Sequence, residues 1–338
     1  MAQHFLLSAA ARTLSLRQVL RLDDAEAWRM FRKIRWPETD GVPVCPHCGC
    51  SSAWECPRRS GSPRFRCKAC RQDFSPTSGT LFAYHKLPIC DYLAAVAIFC
   101  NEVKGKSALA LSRDLGVQYK TAFVLAHKIR EAMATAMKGV PIGGAECIVE
   151  VDGAWFGGHV RPENRKADRK DRRLAENQNR LRQCVVVVCE RPAEDAAVGR
   201  TLATVVASED AAMRFIKARL DRASTVHADE AAAWNELHAH FETRRVNHSL
   251  EYVNAEACVN QAESCFSRMR RAERGHHHHI AGPYLARYAR EMAWREDHRR
   301  HSNGAQLKNV LKLVVNNPPS VDFCGYWQRA AHQSCAHF

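Results

Sequence analysis

Four cysteines form two close pairs, Cys45-Pro46-His47-Cys48 and Cys67-Lys68-Ala69-Cys70, with eighteen residues between them. Two thiolate pairs brought together by a hairpin give the tetrahedral sulfur site that zinc prefers, so Cys45, Cys48, Cys67 and Cys70 are the expected ligands of a structural Zn²⁺. Iron in a rubredoxin-like site is the competing metal. A redox role needs only one such pair. Cys50 and Cys56 fit no ligand scheme, and His47 reads as a surface residue between ligands. A segment as short as residues 41–80 buries too small a core to fold alone, so the metal would supply most of its folding free energy, on the order of 10 kcal/mol. A closed site of this type leaves no position for chemistry. Its task would be to hold Arg58, Arg59, Arg64, Arg66, Lys68 and Arg71 on a rigid frame, where they would meet phosphates. A protein-binding ribbon is the other reading, and the spacing does not separate the two.

A second group of chemically capable residues is acidic. Asp152 ends the apolar stretch Val149-Glu150-Val151, Asp229 follows Thr225-Val226-His227-Ala228, and Glu263 lies in the helical pattern Asn260-Gln261-Ala262-Glu263-Ser264. Strand ends and an adjoining helix converge carboxylates that are far apart in sequence. Two aspartates and a glutamate would hold a pair of Mg²⁺ or Mn²⁺ ions about 3.5–4 Å apart, suited to in-line displacement at phosphorus. Hard oxygen ligands favour those ions over zinc. In a chain with 36 acidic residues position alone is a weak signal. Glu150 rivals Asp152, because alternate strand residues share a face.

The elements that must position these groups are readable from periodicity. Residues 24–36 carry Ala27, Phe31 and Ile34 at helical spacing, with Asp23 or Asp24 to cap the start and Pro37 to end it. Residues 41–80 lose that periodicity. A strongly apolar helix is expected over residues 89–102, then a short helix capped by Ser107, a turn at Leu115-Gly116-Val117, and a helix over residues 119–130. This resembles a helix-turn-helix whose second helix would offer Gln118, Lys120, His127, Lys128 and Arg130 to DNA. A three-helix bundle with a solvated basic face is the alternative. Residues 138–145 read as a linker. Strands are expected over residues 147–151, 183–189, 201–207 and 225–227, and helices over 209–221, 230–241 and 259–274, which together argue for a mixed α/β domain. The charged stretch 161–182 reads as an exposed loop or insert.

The whole chain bounds these readings. Its 338 residues suit two or three domains. Lys and Arg total 50 against 36 Asp and Glu, a formal charge of +14, which favours a polyanionic partner, most often nucleic acid. A solvated basic surface is the other reading. Fifteen cysteines are an odd number, and only four are closely paired, so a reduced, cytoplasmic protein is expected rather than a disulfide framework. The apolar run near the start is short and interrupted by Arg12 and Arg17, a poor signal peptide. No apolar run is long enough for a spanning helix, so no membrane partner is expected.

In their order these pieces resemble the zinc-ribbon transposases of bacterial insertion sequences, the ISXO-type group, over residues 36–300. The ribbon followed by Phe74-Ser75-Pro76-Thr77-Ser78-Gly79-Thr80-Leu81-Phe82 is similar to their amino-terminal module. VEVDGAWFGG around Asp152 resembles the first-aspartate motif, and VHADEAAAW around Asp229 the second. VNQAESCFSRMRR resembles the helix that carries the third acid, Glu263. GHHHHIAGPYLARYAREMAWRED resembles the closing motif, which makes His276 to His279 part of the family pattern. The resemblance implies an RNase H-like catalytic domain at 145–300, preceded by an N-terminal helical segment at 1–40, a zinc ribbon at 41–80 and a helical DNA-binding region at 81–138, and followed by a tail at 301–338. It implies Asp152, Asp229 and Glu263 as the catalytic metal-binding triad, Arg270 as a DNA contact, and transposon ends and target DNA as partners. A homodimer or higher synaptic assembly, associated with the bacterial nucleoid, follows from the same resemblance. Two departures stand out: Gly153 replaces the usual glutamate after the first aspartate, and Asp297 replaces an asparagine near the end. A DNA-binding regulator with a silent catalytic domain is the second reading. A nuclease or resolvase acting on branched DNA is the third.

Overall fold

The computed structural model describes residues 4–58, 61–157, 163–171, 174, 177, 179, 181–191, 199–246 and 257–323. Arg59, Arg161 and much of the charged 161–182 stretch lie outside the described residues. The chain forms two compact units, Met1–Ala136 with Arg300–Phe338, and Met137–Arg299.

In the first unit, a short helix α1 (Leu16–Leu20) precedes α2 (Asp24–Arg35). Asp23 and Glu26 exchange side-chain and backbone hydrogen bonds in a capping box, which supplies partners for N–H groups that the first turn leaves open. Arg32, Lys33 and Arg35 in the last turn complement the helix dipole. A three-stranded antiparallel sheet follows, β1 (Ala53–Glu55), β2 (Phe65–Cys67) and β3 (Asp73–Phe74). Its core is Trp36, Phe65 and Phe74, whose ring centroids lie 5.5–6.4 Å apart. Helix α3 (Ile89–Asn101) buries residues on all sides, as a helix at the centre of a bundle does. Ser107 caps α4 (Ala108–Leu115). Gly116 ends it at φ 64°, the left-handed conformation that glycine adopts without a Cβ clash. Helix α5 (Tyr119–Thr135) runs five residues beyond its expected end.

The second unit is a five-stranded mixed sheet in the order β6-β5-β4-β7-β8. Its strands are β4 (Ile148–Phe156), β5 (Gln183–Glu190), β6 (Thr201–Val206), β7 (Thr225–Asp229) and β8 (Glu242–Val246). β4, β5 and β6 pair antiparallel, whereas β7 and β8 run parallel to β4. Helix α6 (Met213–Arg219) covers one face, its Met213 and Ile216 packed with Val149, Val151, Val186 and Val226. Helices α7 (Asn260–Ala272) and α8 (Gly282–His298) cover the other, where Ala262, Phe266, Leu285 and Ala289 meet Ala154, Val185 and Val187.

Three expectations change. Asp152 sits within β4, because pairing with β5 continues to Phe156↔Gln183 while pairing with β7 stops at Val151↔Ala228. Residues 232–239 form 3₁₀ turns in place of the expected α-helix. The segment read as a tail contains helix α9 (Asn303–Asn316), which packs with α2, α3 and α5 of the first unit through an apolar face that includes Leu307, Leu311 and Val314. No helix among the described residues is long and apolar enough to cross a membrane.

Candidate active site and zinc centre

The two cysteine pairs build near-identical knuckles. Cys45 N–H donates to the Cys50 carbonyl and Gly49 N–H to Cys45, while Cys67 N–H donates to Gln72 and Arg71 N–H to Cys67. Gly49 and Arg71 take positive φ, 75° and 61°, which lets each knuckle turn its two thiols inward. Ligand atoms of Cys45, Cys48, Cys67 and Cys70 all lie within 4.8 Å of one another, the one such group among the described residues. Sγ atoms of Cys45 and Cys70, and of Cys48 and Cys67, are 3.6 Å apart. Zn–S bonds of about 2.3 Å give a tetrahedral edge of about 3.8 Å, so the donors fit zinc. Backbone N–H groups of Cys70, then Ala69, pull the Cys67 thiol down to about 6. Beside the knuckles, Arg71 and Lys68 lie 4.9 and 5.7 Å over the partly exposed Trp54 ring, and Arg64 is engaged with Asp73.

The acids are gathered by strand register. Val149 and Val151 face the α6 layer together with Val226 and Ala228, so by alternation Glu150, Asp152, His227 and Asp229 face the α7 layer. The pairing Val151↔Ala228 sets Asp152 and Asp229 side by side on neighbouring strands, whose axes lie about 4.8 Å apart. Glu263 enters from the first turn of α7. Burial pushes the Asp152 carboxyl up to about 7, and the nearby charges of Asp229, Glu209 and Glu263 push the same way against a hydrogen bond from Gly153 N–H. A donor set of carboxylate oxygens, one of them costly to ionise, suits a hard divalent cation.

Glu150 shares the Asp152 face but does a different job. It is 1% exposed, and its Oε2 accepts from the N–H groups of Gln261 and Ala262 at 2.7 and 3.2 Å. Arg191 Nε donates to Oε1 at 2.9 Å. Val259 offers no side-chain cap to α7, so Glu150 supplies one from β4 and fixes the helix that carries Glu263.

Asp152, Glu263, Arg270, Arg271 and Arg274 line one open cleft of 740 Å³. Arg270 is exposed, its guanidinium 5.8 Å from the Phe156 ring centroid. The helix continues as a π-turn over Glu273–His277, with His277 against Tyr288 at 4.7 Å. Asp297 is pushed up to about 8 by burial, against hydrogen bonds from Thr201.

On α5 the structure divides the expected DNA-facing residues. Lys120 is exposed and Lys128 partly so. Arg130 is fully buried, its guanidinium 5.2 Å over the Phe99 ring and bonded to the Lys106 carbonyl, which removes it from any DNA-facing surface. His127 is buried against Phe123 and Phe323. Sequence reasoning missed Glu209, one of many acids that follow a strand, and the anchoring role of Glu150.

A four-thiol ribbon followed in the chain by a mixed α/β domain with converging acids and an arginine-lined cleft has the layout expected of a transposase. Residues 142–297 match the ISXO2-like transposase domain and residues 22–73 the transposase zinc-ribbon domain. Together the matches span more than half of the chain, which belongs to the zinc-ribbon transposases of insertion sequences. The chain is 23% identical over 303 residues to an uncharacterized protein in transposable element ISH50 of Halobacterium salinarum, a match covering 87% of this chain and 98% of that one. No solved structure matches.

Proposed function

We propose that this transposase binds the terminal inverted repeats of its own element and carries out divalent-metal-dependent strand cleavage and strand transfer. The reading rests on Asp152 and Glu263 lining one cleft with Arg270, Arg271 and Arg274, and on the Asp229 and Glu263 charges bearing on Asp152. The strand order β6-β5-β4-β7-β8, three antiparallel and two parallel, supports an RNase H-like domain. Asp152, Asp229 and Glu263 would hold Mg²⁺ or Mn²⁺. Divalent ions there supply activation of the attacking oxygen and charge stabilisation at the leaving one.

The chain's own residues do the rest. Arg270, Arg271 and Arg274 hold phosphates along the cleft. Glu150 keeps α7, and with it Glu263, against the sheet. The Gly116 turn between α4 and α5 supports a helix-turn-helix that presents Lys120 and Lys128 to DNA, and Trp54, Lys68 and Arg71 form a basic aromatic face on the ribbon. Joining two ends requires at least two copies of the chain.

The test uses purified protein, DNA carrying the element's ends, and Mg²⁺ or Mn²⁺. Wild type should nick at the ends, and Asp229→Asn should still bind the ends and cut nothing. End binding without cleavage in wild type would favour the regulator. Cleavage that needs no end sequence would favour a branched-DNA nuclease.

A further inference from the structure

A carboxylate that the triad does not include, Glu209, lies against Gly153 in the wall of the cleft. Glu209 follows β6 and leads into the 3₁₀ turn Asp210–Ala212 and α6. It therefore approaches from the α6 layer, whereas Asp152, Asp229 and Glu263 belong to the α7 side. Gly153 makes room for it. A Cβ at position 153 would lie 2.6 Å from Glu209 Cγ and 2.8 Å from Oε1, closer than real Cβ atoms come to non-bonded neighbours, and 3.0 Å from Cδ. The missing side chain is the space in which the Glu209 carboxyl sits.

Two further features tie this carboxyl to the triad. Pairing between β4 and β7 ends at Val151↔Ala228, so at the level of Gly153 the sheet is open towards Asp229. Across that opening the Glu209 charge bears on Asp152, and the Asp229 charge bears on Glu209. Gly153 also lines the same cleft as Asp152 and Glu263. By alternation along β4, a side chain at 153 points to the α6 face, which is where Glu209 now places its carboxylate.

We propose that Glu209 is a fourth carboxylate of the divalent-ion site, seated in the space that Gly153 leaves open. The proposal rests on the triad being a metal site, and its test keeps the two apart. Full-length, zinc-loaded protein is titrated with Mn²⁺ by calorimetry, and bound Mn²⁺ is counted by electron paramagnetic resonance, without DNA and without turnover. Glu209→Gln keeps the shape that fills the space and should weaken Mn²⁺ binding at least tenfold or remove one bound ion. Gly153→Ala, which displaces the Glu209 side chain, should do the same. The double variant Gly153→Glu with Glu209→Gln should recover most of the lost affinity, which a folding defect would not. If Asp229→Asn weakens binding while Glu209→Gln stays within twofold of wild type, the Glu209 assignment fails and the triad stands. If wild type binds no Mn²⁺, both fail.

Discussion

Replacing Glu150 with alanine asks whether the carboxylate at the foot of α7 holds the active helix in place. The N–H groups of Gln261 and Ala262, Arg191 Nε and the Cys258 thiol lose their acceptor at once. Loss of a side-chain cap costs about 1 kcal/mol. Breaking a buried ion pair costs about 3–5 kcal/mol, but the Arg191 side chain is 29% exposed and regains part of this from water. A total of about 3 kcal/mol is expected, which in a domain of this size lowers Tm by about 6–12 °C. The assay is thermal and urea unfolding followed by near-ultraviolet dichroism, with Mn²⁺ titration of the folded variant. Glu150→Gln keeps one acceptor oxygen for the helix N–H groups and should recover part of the stability. Mn²⁺ affinity should fall in Glu150→Ala even well below its Tm, because Glu263 rides on the helix that has lost its anchor. A loss under about 1 kcal/mol with unchanged Mn²⁺ affinity would refute the anchoring role.

Other consequences are as direct. Purified protein should carry one zinc per chain by atomic absorption, and Cys67→Ser or strong chelation should make residues 41–80 protease-sensitive, because about 10 kcal/mol of folding free energy goes with the metal. Asp297 has a folded-state value near 8 against about 3.9 unfolded, so folding retains a proton between those values. Stability from this group is full below about pH 4 and lost as pH rises through 8, by at most about 1.4 kcal/mol per unit; Asp297→Asn should flatten that slope in urea titrations at pH 5 to 9, and an unchanged slope would contradict it. Lys120→Ala and Lys128→Ala should weaken end binding and each lower the salt slope of log K by about 1. Arg130→Met should leave that slope alone and lower Tm instead, and a changed slope with unchanged Tm would put Arg130 back on the DNA.

What was readable in the sequence follows from which forces act locally. The cysteine pairs are readable because one metal sets their spacing, and the strands that carry Asp152 and Asp229 because apolar residues lead up to each. Arg130 was misplaced for a reason visible in the helix itself. It lies four residues after Ala126 and three before Met133, both fully buried, so it belongs to the core stripe and not to the face that carries Lys120. β8, with the sequence Glu242-Thr243-Arg244-Arg245-Val246, was missed because an edge strand tolerates charges that mask its alternation. The expected strand ending at Asp152 is too short because its continuation depends on pairing with β5, as at Gly153↔Val186, a partner distant in sequence. Glu209 was invisible, since its meaning depends on an atom that Gly153 does not have.

The charges of the cleft imply an order of events. Its rim carries Arg270, Arg271 and Arg274, while Asp152 and Glu263 line the same space, with Asp229 and Glu209 bearing on Asp152. A DNA backbone is drawn to the rim and repelled by the carboxylates, and both terms act with little screening within the Debye length, about 8 Å at physiological salt. Neutralising the carboxylates removes the repulsion and leaves the arginines unopposed. Divalent ions should therefore tighten the hold of the catalytic domain on DNA as well as enable chemistry. Ca²⁺, which takes the same oxygen ligands, separates the two effects without turnover. Mobility-shift affinity of the full chain for end DNA should rise with Ca²⁺ in wild type. In Asp152→Asn with Asp229→Asn, where two of the opposing charges are already gone, affinity without metal should be higher than wild type and nearly indifferent to Ca²⁺. Equal metal-free affinity of the two proteins would show that the acids do not oppose DNA entry.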